Sequence, residues 1–318
     1  MRTLLLLALV LAFAASLALP ASSLAGLFAT DRQLALEVLV ELRLPRALLA
    51  LTYGAMLGAA GAAVQALFAN PLASPDLTGT TSGAALGAVV TAYLLGFSAP
   101  LALSIGSVAG ALGALMLLLL LAGPRAETAT LLLSGLAISA LAGALTTLAL
   151  ALAPSPFAFY DAYDWLMGSL VDRSLSQAAF AGVPAMAAML LLLRLGTALD
   201  RLALGEEVAE SLGHDIVRLR LQIVCLTALG VGACVAICGA IGFVGLVAPI
   251  FARRLTAGHP GRAIAPAALI GAILLLLADL AARGAPLGRT VPIGVLTALI
   301  GAPFFLWLVA QMRWRLSR

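Results

Sequence analysis

The chain has 318 residues, of which 63% are hydrophobic and 10% are charged, and its net charge is +4 at neutral pH. So few charges exclude a soluble protein of this size, and apolar runs of about 20 residues indicate membrane-spanning helices. All 18 basic residues are arginine, which excludes a Walker A nucleotide loop because that motif requires lysine. We therefore expect an all-α, polytopic membrane protein.

The hydropathy pattern predicts about ten spanning segments in a single transmembrane domain, residues 1–318. In chain order the predicted segments are 3–20, 47–69, 80–96, 100–122, 129–152, 176–195, 219–239, 241–254, 263–282 and 291–312. The eighth is short and glycine-rich, which is typical of a partial or re-entrant element. Twelve arginines fall on the side of the two termini and six on the other, so both termini are predicted to be cytoplasmic.

The first segment has two interpretations. The stretch MRTLLLLALVLAFAASLALP is followed by ASSLA, so it could be a cleaved signal peptide. If it remains as an uncleaved helix, the ten predicted segments place both termini on the same side of the membrane.

Residues 31–46, DRQLALEVLVELRLPR, are predicted to form an amphipathic helix at the outer surface. Arg43 and Arg46 at its end either anchor to lipid phosphates or donate hydrogen bonds to carboxylates of a partner protein. Asp279, near the outer end of the ninth segment, is expected to pair with Arg283 one helical turn later. A buried acid in a membrane also leaves open an ion-coupled secondary transporter that works through Asp279.

The stretch QALFANPLASPDLTG, residues 65–79, interrupts the apolar sequence between the second and third segments. Pro71 cannot continue a helix, and Gly79 permits a turn, so we expect the chain to reverse here. An ungapped alignment of residues 55–71 with 233–249 predicts an inverted repeat. Chance similarity between two helices rich in small residues is the alternative explanation.

The interval 197–218, TALDRLALGEEVAESLGHDIVR, is predicted to form one or two short amphipathic helices on the cytoplasmic side. Gly205 and Gly213 are the expected helix boundaries. The interval is either a solvated loop or a docking site for a soluble partner, such as an ATPase.

Residues suited to catalysis are few. His214 and His259 lie in predicted loops and are not spaced as metal ligands. Cys225, Cys234 and Cys238 fall in one predicted helix, where small packing residues are expected more often than a metal or redox pair. A membrane-embedded enzyme is therefore an alternative with little support.

Six stretches of the chain resemble, in the same order, the membrane permeases of iron-chelate and vitamin B12 ABC importers. They are LRLPRALLALTYGAMLGAAGAAVQALFANPLASPDLTG, WLMGSL, LALGEEVAESLG, GAIGFVGLVAP, LLLADLAAR and VPIGVLTALIGAPFF, and they cover about residues 40–312. The resemblance implies a ten-helix type II importer permease, an inverted repeat and no enzymatic activity, cofactor or metal site in this chain.

The same resemblance implies the partners and the cargo. It implies a homodimer or pseudo-symmetric heterodimer in the inner membrane, two cytoplasmic ATPase subunits that bind ATP and Mg²⁺, and a periplasmic substrate-binding protein. No nucleic-acid partner is expected, because arginines at the helix ends account for the net charge. A ferric siderophore is the first expected cargo, followed by haem and cobalamin.

The resemblance also implies roles for particular residues. The residues expected to meet the binding protein are Arg43, Arg46 and Arg283. The residues expected to couple the 201–218 interval to the ATPase are Leu204, Gly205, Glu206, Glu207, Leu212 and Gly213. The residues expected in two cytoplasmic gate loops are Asn70, Leu72, Glu127 and Thr128. The polar residues expected to line the pathway in the fifth segment are Ser134, Ser139, Thr146 and Thr147.

Overall fold

The computed structural model describes residues 2–123, 128–153, 155–284 and 291–316. Over these residues the chain forms fifteen α-helices and no strand, which confirms the predicted all-α class. The helices are α1 (Arg2–Ala18), α2 (Ala21–Thr30), α3 (Arg32–Glu37), α4 (Leu44–Leu67), α5 (Thr80–Val89), α6 (Pro100–Ala122), α7 (Thr128–Ala151), α8 (Pro156–Leu166), α9 (Leu175–Arg194), α10 (Gly196–Leu202), α11 (Glu206–Ser211), α12 (Ile216–Cys238), α13 (Val244–Leu255), α14 (Ile264–Gly284) and α15 (Ile293–Leu316). A π-helical turn, Val38–Arg43, joins α3 to α4, and a second, Val90–Leu94, extends α5.

Ten of these helices coincide with the predicted spanning segments: α1, α4, α5, α6, α7, α9, α12, α13, α14 and α15. Among the described residues, six continuous helical stretches are long and apolar enough to cross a membrane. Helix α13 has only 12 residues, as expected of a partial element. Large apolar side chains such as Leu120 and Leu190 are exposed on the outside of the bundle, which suits contact with lipid.

Helix α4 lies at the centre of the bundle, where it packs against α9, α12, α13 and α14. Most of its residues are buried because glycine and alanine allow neighbouring backbones to approach closely. A Cβ atom on Gly58 would lie 2.0 Å from the carbonyl oxygen of Ala267, and one on Gly61 would lie 1.8 Å from that of Gly245. No side chain fits at those distances, so the two glycines fix the positions of α13 and α14 against α4.

Two series of four spanning helices, α4 to α7 and α12 to α15, pack in a reciprocal way. Helix α4 packs against α14, and α12 packs against α6, so the first helix of each series contacts the third of the other. This arrangement agrees with the predicted repeat, but the ungapped register does not hold. Residues 55–67 form continuous helix, whereas Gly239 ends α12 with a left-handed φ of 73° and α13 begins only at Val244.

The last helix of each series, α7 or α15, lies at the edge of the bundle. Helix α7 packs against α5 and α6 through one buried stripe that includes Ile138, Ala142 and Thr146, while most of its other residues are exposed. Helix α15 packs against α13 and α14. Both helices therefore present broad open faces beside the segments that carry the candidate site.

Candidate functional site

Asp279, near the C-terminal end of α14, is fully buried and is held by two arginines. The Nε of Arg46 on α4 donates to Oδ1 at 2.7 Å, and the guanidinium of Arg283 donates to Oδ2. Arg283 also donates to the carbonyl oxygen of Ser16 at 2.8 Å, which adds α1 to the cluster. The predicted pairing of Asp279 with Arg283 is confirmed, and Arg46 is an additional partner.

The three arginines predicted to meet a binding protein lie together at this end of the bundle, which we call the Asp279 end. Arg43 donates to the carbonyl oxygen of Leu17 at 2.8 Å. The side chains of Arg46 and Arg283 are only 15% and 12% exposed. All three therefore make contacts within the chain, and their role in docking stays a prediction.

Helices α10 and α11 lie at the opposite end of the bundle, which we call the α11 end. The two short helices were predicted, and Gly205 and Gly213, with φ of 111° and 84°, flank α11 as expected. Arg220 of α12 forms an ion pair with Glu206, which attaches α11 to the bundle. Of the other proposed coupling residues, Leu204, Glu207 and Leu212 are exposed.

The exposed surface of α11 and its flanks is partly apolar. Leu204, Val208 and Leu212 are 65%, 43% and 51% exposed, although they occupy a polar end of the bundle. Apolar side chains exposed in this way, outside the spanning helices, are typical of a surface that another protein covers.

The loop of residues 68–79 reverses the chain between α4 and α5, as predicted. The buried side chain of Asn70 accepts a hydrogen bond from the backbone N–H of Leu72 at 2.9 Å, and Leu72 itself is half-buried. Gly79 begins α5 with a φ of 81°. Of the second predicted gate pair, Glu127 lies outside the described residues and Thr128 is the first residue of α7.

Asp76 connects the 68–79 loop to three other elements, a role that the sequence did not indicate. Its Oδ1 accepts from the Thr81 hydroxyl at 2.7 Å, and its Oδ2 accepts from the Phe243 N–H at 3.0 Å. Its carbonyl oxygen accepts from the Ser139 hydroxyl of α7 at 3.3 Å. Burial raises the pKa of Asp76, and the hydrogen bonds from Thr81 and Phe243 act in the opposite direction.

The four residues predicted to line the pathway do not share one face of α7. Ser139 bonds to the 68–79 loop, and Thr146 is buried, whereas Thr147 is exposed and bonds to the Gly143 carbonyl oxygen. Ser134 is half-buried. The exposed side of α7 next to Thr147 carries the small residues Ala140, Gly143, Ala144 and Ala151 together with the large exposed side chains of Leu133 and Leu136.

The described residues form two cavities, one beside α8 and the other between the 68–79 loop, the start of α13 and α15. One, of about 410 Å³, is lined by Asp161, Asp164, Trp165, Ser169, Val171, Asp172, Arg173, Val291 and Pro292. The other, of about 190 Å³, is lined by Ser74, Asp76, Leu77, Gly242, Phe243, Leu246 and Phe305. The sequence reading missed both cavities and α8. Within the described ranges, no three His, Cys, Asp or Glu side chains are grouped so that they could hold a metal ion.

An apolar exterior, a core of closely packed small residues and polar clusters at both ends together define a multi-pass α-helical membrane permease. The chain belongs to the FecCD transport family, whose sequence profile matches residues 3–311. This match confirms the resemblance that the six sequence stretches carried.

Known relatives cover most of the chain. It is 41% identical over 286 residues to the vitamin B12 import system permease protein BtuC of Vibrio cholerae, spanning 86% of this chain and 83% of that protein. It is 40% identical over 277 residues to the Fe(3+) dicitrate transport system permease protein FecD of Escherichia coli, spanning 87% and 86%. A solved structure of a metal-chelate type ABC transporter in an inward-facing conformation matches with a TM-score of 0.82 at 33% identity, covering 96% and 97% of the two chains.

Proposed function

We propose that this chain is the transmembrane permease subunit of an ATP-driven ABC importer. The observation that carries the proposal is a group of exposed apolar side chains in and beside α11, namely Leu204, Val208 and Leu212, on a chain that has no lysine for a nucleotide loop. A chain without a nucleotide site can take the energy for uphill transport from an ion gradient or from an ATPase subunit, and the contacts of Asp279 described below do not favour the ion gradient. Two ATPase subunits bind ATP and Mg²⁺ and dock on Leu204, Gly205, Glu206, Glu207, Leu212 and Gly213. The permease itself performs no covalent chemistry.

The α11 end faces the cytoplasm with both termini, and the Asp279 end faces outward. The distribution of arginines over the connecting segments supports this orientation. An extracytoplasmic substrate-binding protein docks at the Asp279 end, where Arg43, Arg46 and Arg283 meet its acidic residues. Each guanidinium carries five N–H donors, so pairing with Asp279 does not by itself prevent contact with a second carboxylate.

The translocation pathway lies between two copies of the chain, along the open face of α7. This helix carries no charged residue between Thr128 and Ala151, and its exposed small residues leave room for a bulky ligand. Asn70 and Leu72 form one inner gate, and Glu127 and Thr128 form the other. The cargo is a chelated metal: a ferric siderophore is our first choice, and haem and cobalamin follow.

The geometry around Asp279 does not favour an ion-coupled secondary transporter. Both carboxylate oxygens are already paired with arginines, and the side chain is fully buried. A carboxylate that binds and releases a coupling ion must exchange with solvent during each cycle. Asp279 instead has the contacts of a structural anchor between α4 and α14.

The first prediction concerns the apolar surface at the α11 end. In the double variant Leu204→Ser/Leu212→Ser, we expect the amount of ATPase subunit that copurifies with the permease to fall by about tenfold or more, because these side chains form the centre of the contact. The measurement is affinity purification of the permease from cells that express both subunits. Leu34→Ser, which changes an exposed leucine of α3 at the other end of the bundle, is the control. Equal recovery of the ATPase subunit with both variants would contradict the docking site.

A further inference from the structure

Two aspartates bind the segment that contains α13, one at the start of the helix and the other in the loop between α13 and α14. At its start, Oδ2 of Asp76 accepts the N–H of Phe243 at 3.0 Å. In the loop that follows the helix, the N–H of Gly261 donates to Oδ1 of Asp200 at 2.8 Å. Asp76 belongs to the 68–79 loop and Asp200 to α10. Helix α13 and the loop that follows it therefore connect the loop assigned to the inner gate with the segment assigned to the ATPase.

At the Asp76 end of this connection, the backbone of Phe243 has an unfavourable conformation. Phe243 has a φ of 66°, a left-handed conformation that residues other than glycine rarely adopt. Strained residues persist only where surrounding contacts hold them, and the carboxylate of Asp76 provides one such contact at the positive end of the helix dipole. Loss of this contact would free the first turn of α13 to relax.

Close backbone packing makes the connection stiff at both ends. A Cβ atom on Gly61 would lie 1.8 Å from the carbonyl oxygen of Gly245, and one on Gly261 would lie 1.8 Å from that of Gly196. Gln65 also donates to the carbonyl oxygen of Leu246 at 3.3 Å. Backbones packed this closely cannot slide past one another without separating, so α13 and its neighbours move as one body.

The 68–79 loop also contacts α7, the helix assigned to the pathway. The Ser139 hydroxyl of α7 donates to the carbonyl oxygen of Asp76, and the Thr81 hydroxyl of α5 donates to its Oδ1. A displacement of α13 that moves Asp76 therefore also acts on α5 and α7.

We propose that α13 and the loop that follows it transmit movement of the α10 and α11 segment to the 68–79 loop. The positioning residues are Asp76 at the start of α13 and Asp200 beside Gly261 of that loop. The inference rests on the proposed function, because it requires an ATPase at the α11 end and a gate in the loop. Both aspartates act through the backbone N–H groups that they hold, those of Phe243 and Gly261. They couple ATP hydrolysis at the α11 end to opening of the 68–79 loop. This coupling is a free energy that links the ATPase site to the gate.

The experiment uses the whole complex of permease, ATPase subunits and binding protein in lipid vesicles. Uptake of radiolabelled ferric citrate or cyanocobalamin is measured together with ATP hydrolysis, and the ratio of the two is the readout. For Asp76→Ala and for Asp200→Ala we expect cargo moved per ATP to fall about tenfold, with ATP hydrolysis retained within about threefold. A purely structural defect would lower both activities together.

Conservative and control variants separate coupling from folding. Asp76→Asn keeps an oxygen for the Phe243 N–H and an amide for the Thr81 hydroxyl, so it should retain most of the wild-type ratio. Asp31→Ala removes a carboxylate that accepts two backbone N–H groups at the start of α3, far from α13, and should leave the ratio unchanged. For the double variant Asp76→Ala/Asp200→Ala, we expect cargo moved per ATP to fall by no more than about tenfold, because both contacts belong to one connection.

Three results would overturn the inference. The first is an unchanged ratio in both alanine variants, and the second is a double variant whose loss equals the product of the single losses. The third is a parallel fall of uptake and hydrolysis in every variant, the asparagine variant included. A wild-type complex that hydrolyses ATP but imports none of ferric citrate, cyanocobalamin, a ferric siderophore and haem would count against the proposed function itself and not against α13 alone.

Discussion

Replacement of Gly61 by leucine is expected to abolish the accumulation of folded protein. Gly61 lies in the middle of α4, where a Cβ atom would be 1.8 Å from the carbonyl oxygen of Gly245. The obstructing atom belongs to the backbone of α13, so no side-chain rotation can relieve the clash. Helices α4 and α13 would have to separate, and the gap would also disturb the contact of Gly58 with α14.

The measurement is the yield of monodisperse protein in detergent, followed by size-exclusion chromatography of a fluorescent fusion. We expect a fall of more than about tenfold for Gly61→Leu, since overpacking at a backbone contact in a membrane bundle exceeds the usual cost of an extra side chain. Gly113→Leu on α6 is the matched control, because a Cβ atom there meets nothing within 4 Å. A yield of Gly61→Leu equal to that of the control would show that α4 and α13 do not pack as described.

The second large effect is expected at Asp279. In Asp279→Ala, Arg46 and Arg283 lose their shared carboxylate while their side chains remain largely buried. Removing one partner of a buried ion pair typically costs about 3–5 kcal/mol, because an uncompensated charge is left behind. We therefore expect a marked fall in the thermal unfolding temperature of the purified protein and in its yield.

A triple variant distinguishes a structural anchor from a docking group. In Arg46→Met/Arg283→Met/Asp279→Leu, all the buried charges of the cluster are removed together, so stability should return close to that of the wild type. Stimulation of ATP hydrolysis by the binding protein should nevertheless be lost if the arginines dock it. Wild-type stability of Asp279→Ala, together with uptake that no longer depends on an ion gradient, would support the ion-coupled alternative instead.

The helices could be predicted from sequence because they depend on local properties. Runs of apolar residues, Pro71 and the glycines on either side of α11 indicate where helices begin and end without knowledge of the fold. The pairing of Asp279 with Arg283 was also local, since four residues separate the two. Helix α8 was missed because its polar and aromatic residues, PFAFYDAYDWL, are unlike a spanning segment.

The contacts that define the candidate site are not local, which explains why the sequence did not reveal them. Arg46 is 233 residues from Asp279, and Asp76 is 167 residues from Phe243. A single acid within an otherwise uncharged loop was the one available sign that Asp76 has a partner. The register of the proposed repeat was wrong at Gly239 because similar small residues form a continuous helix in α4 and a helix break after α12.

The open face of α7 could not be identified from sequence for a different reason, as the four residues predicted to line the pathway show. Helix α7 is apolar on all sides, so its sequence has no periodicity that distinguishes the packed stripe from the open face. Ser139 and Thr146 were selected for polarity, yet Ser139 bonds to the 68–79 loop and Thr146 is buried. Only contacts with α5 and α6 determine which side of α7 remains open.

The most direct test of the account is uptake by reconstituted vesicles with and without the partner subunits. Vesicles that contain the permease, its ATPase subunits and internal ATP, with binding protein and radiolabelled ferric chelate on the other side, should accumulate the chelate. Vesicles that contain the permease alone should not, whatever ion gradient is imposed. Uphill accumulation by the permease alone would contradict the central claim that this chain depends on a partner ATPase for its energy.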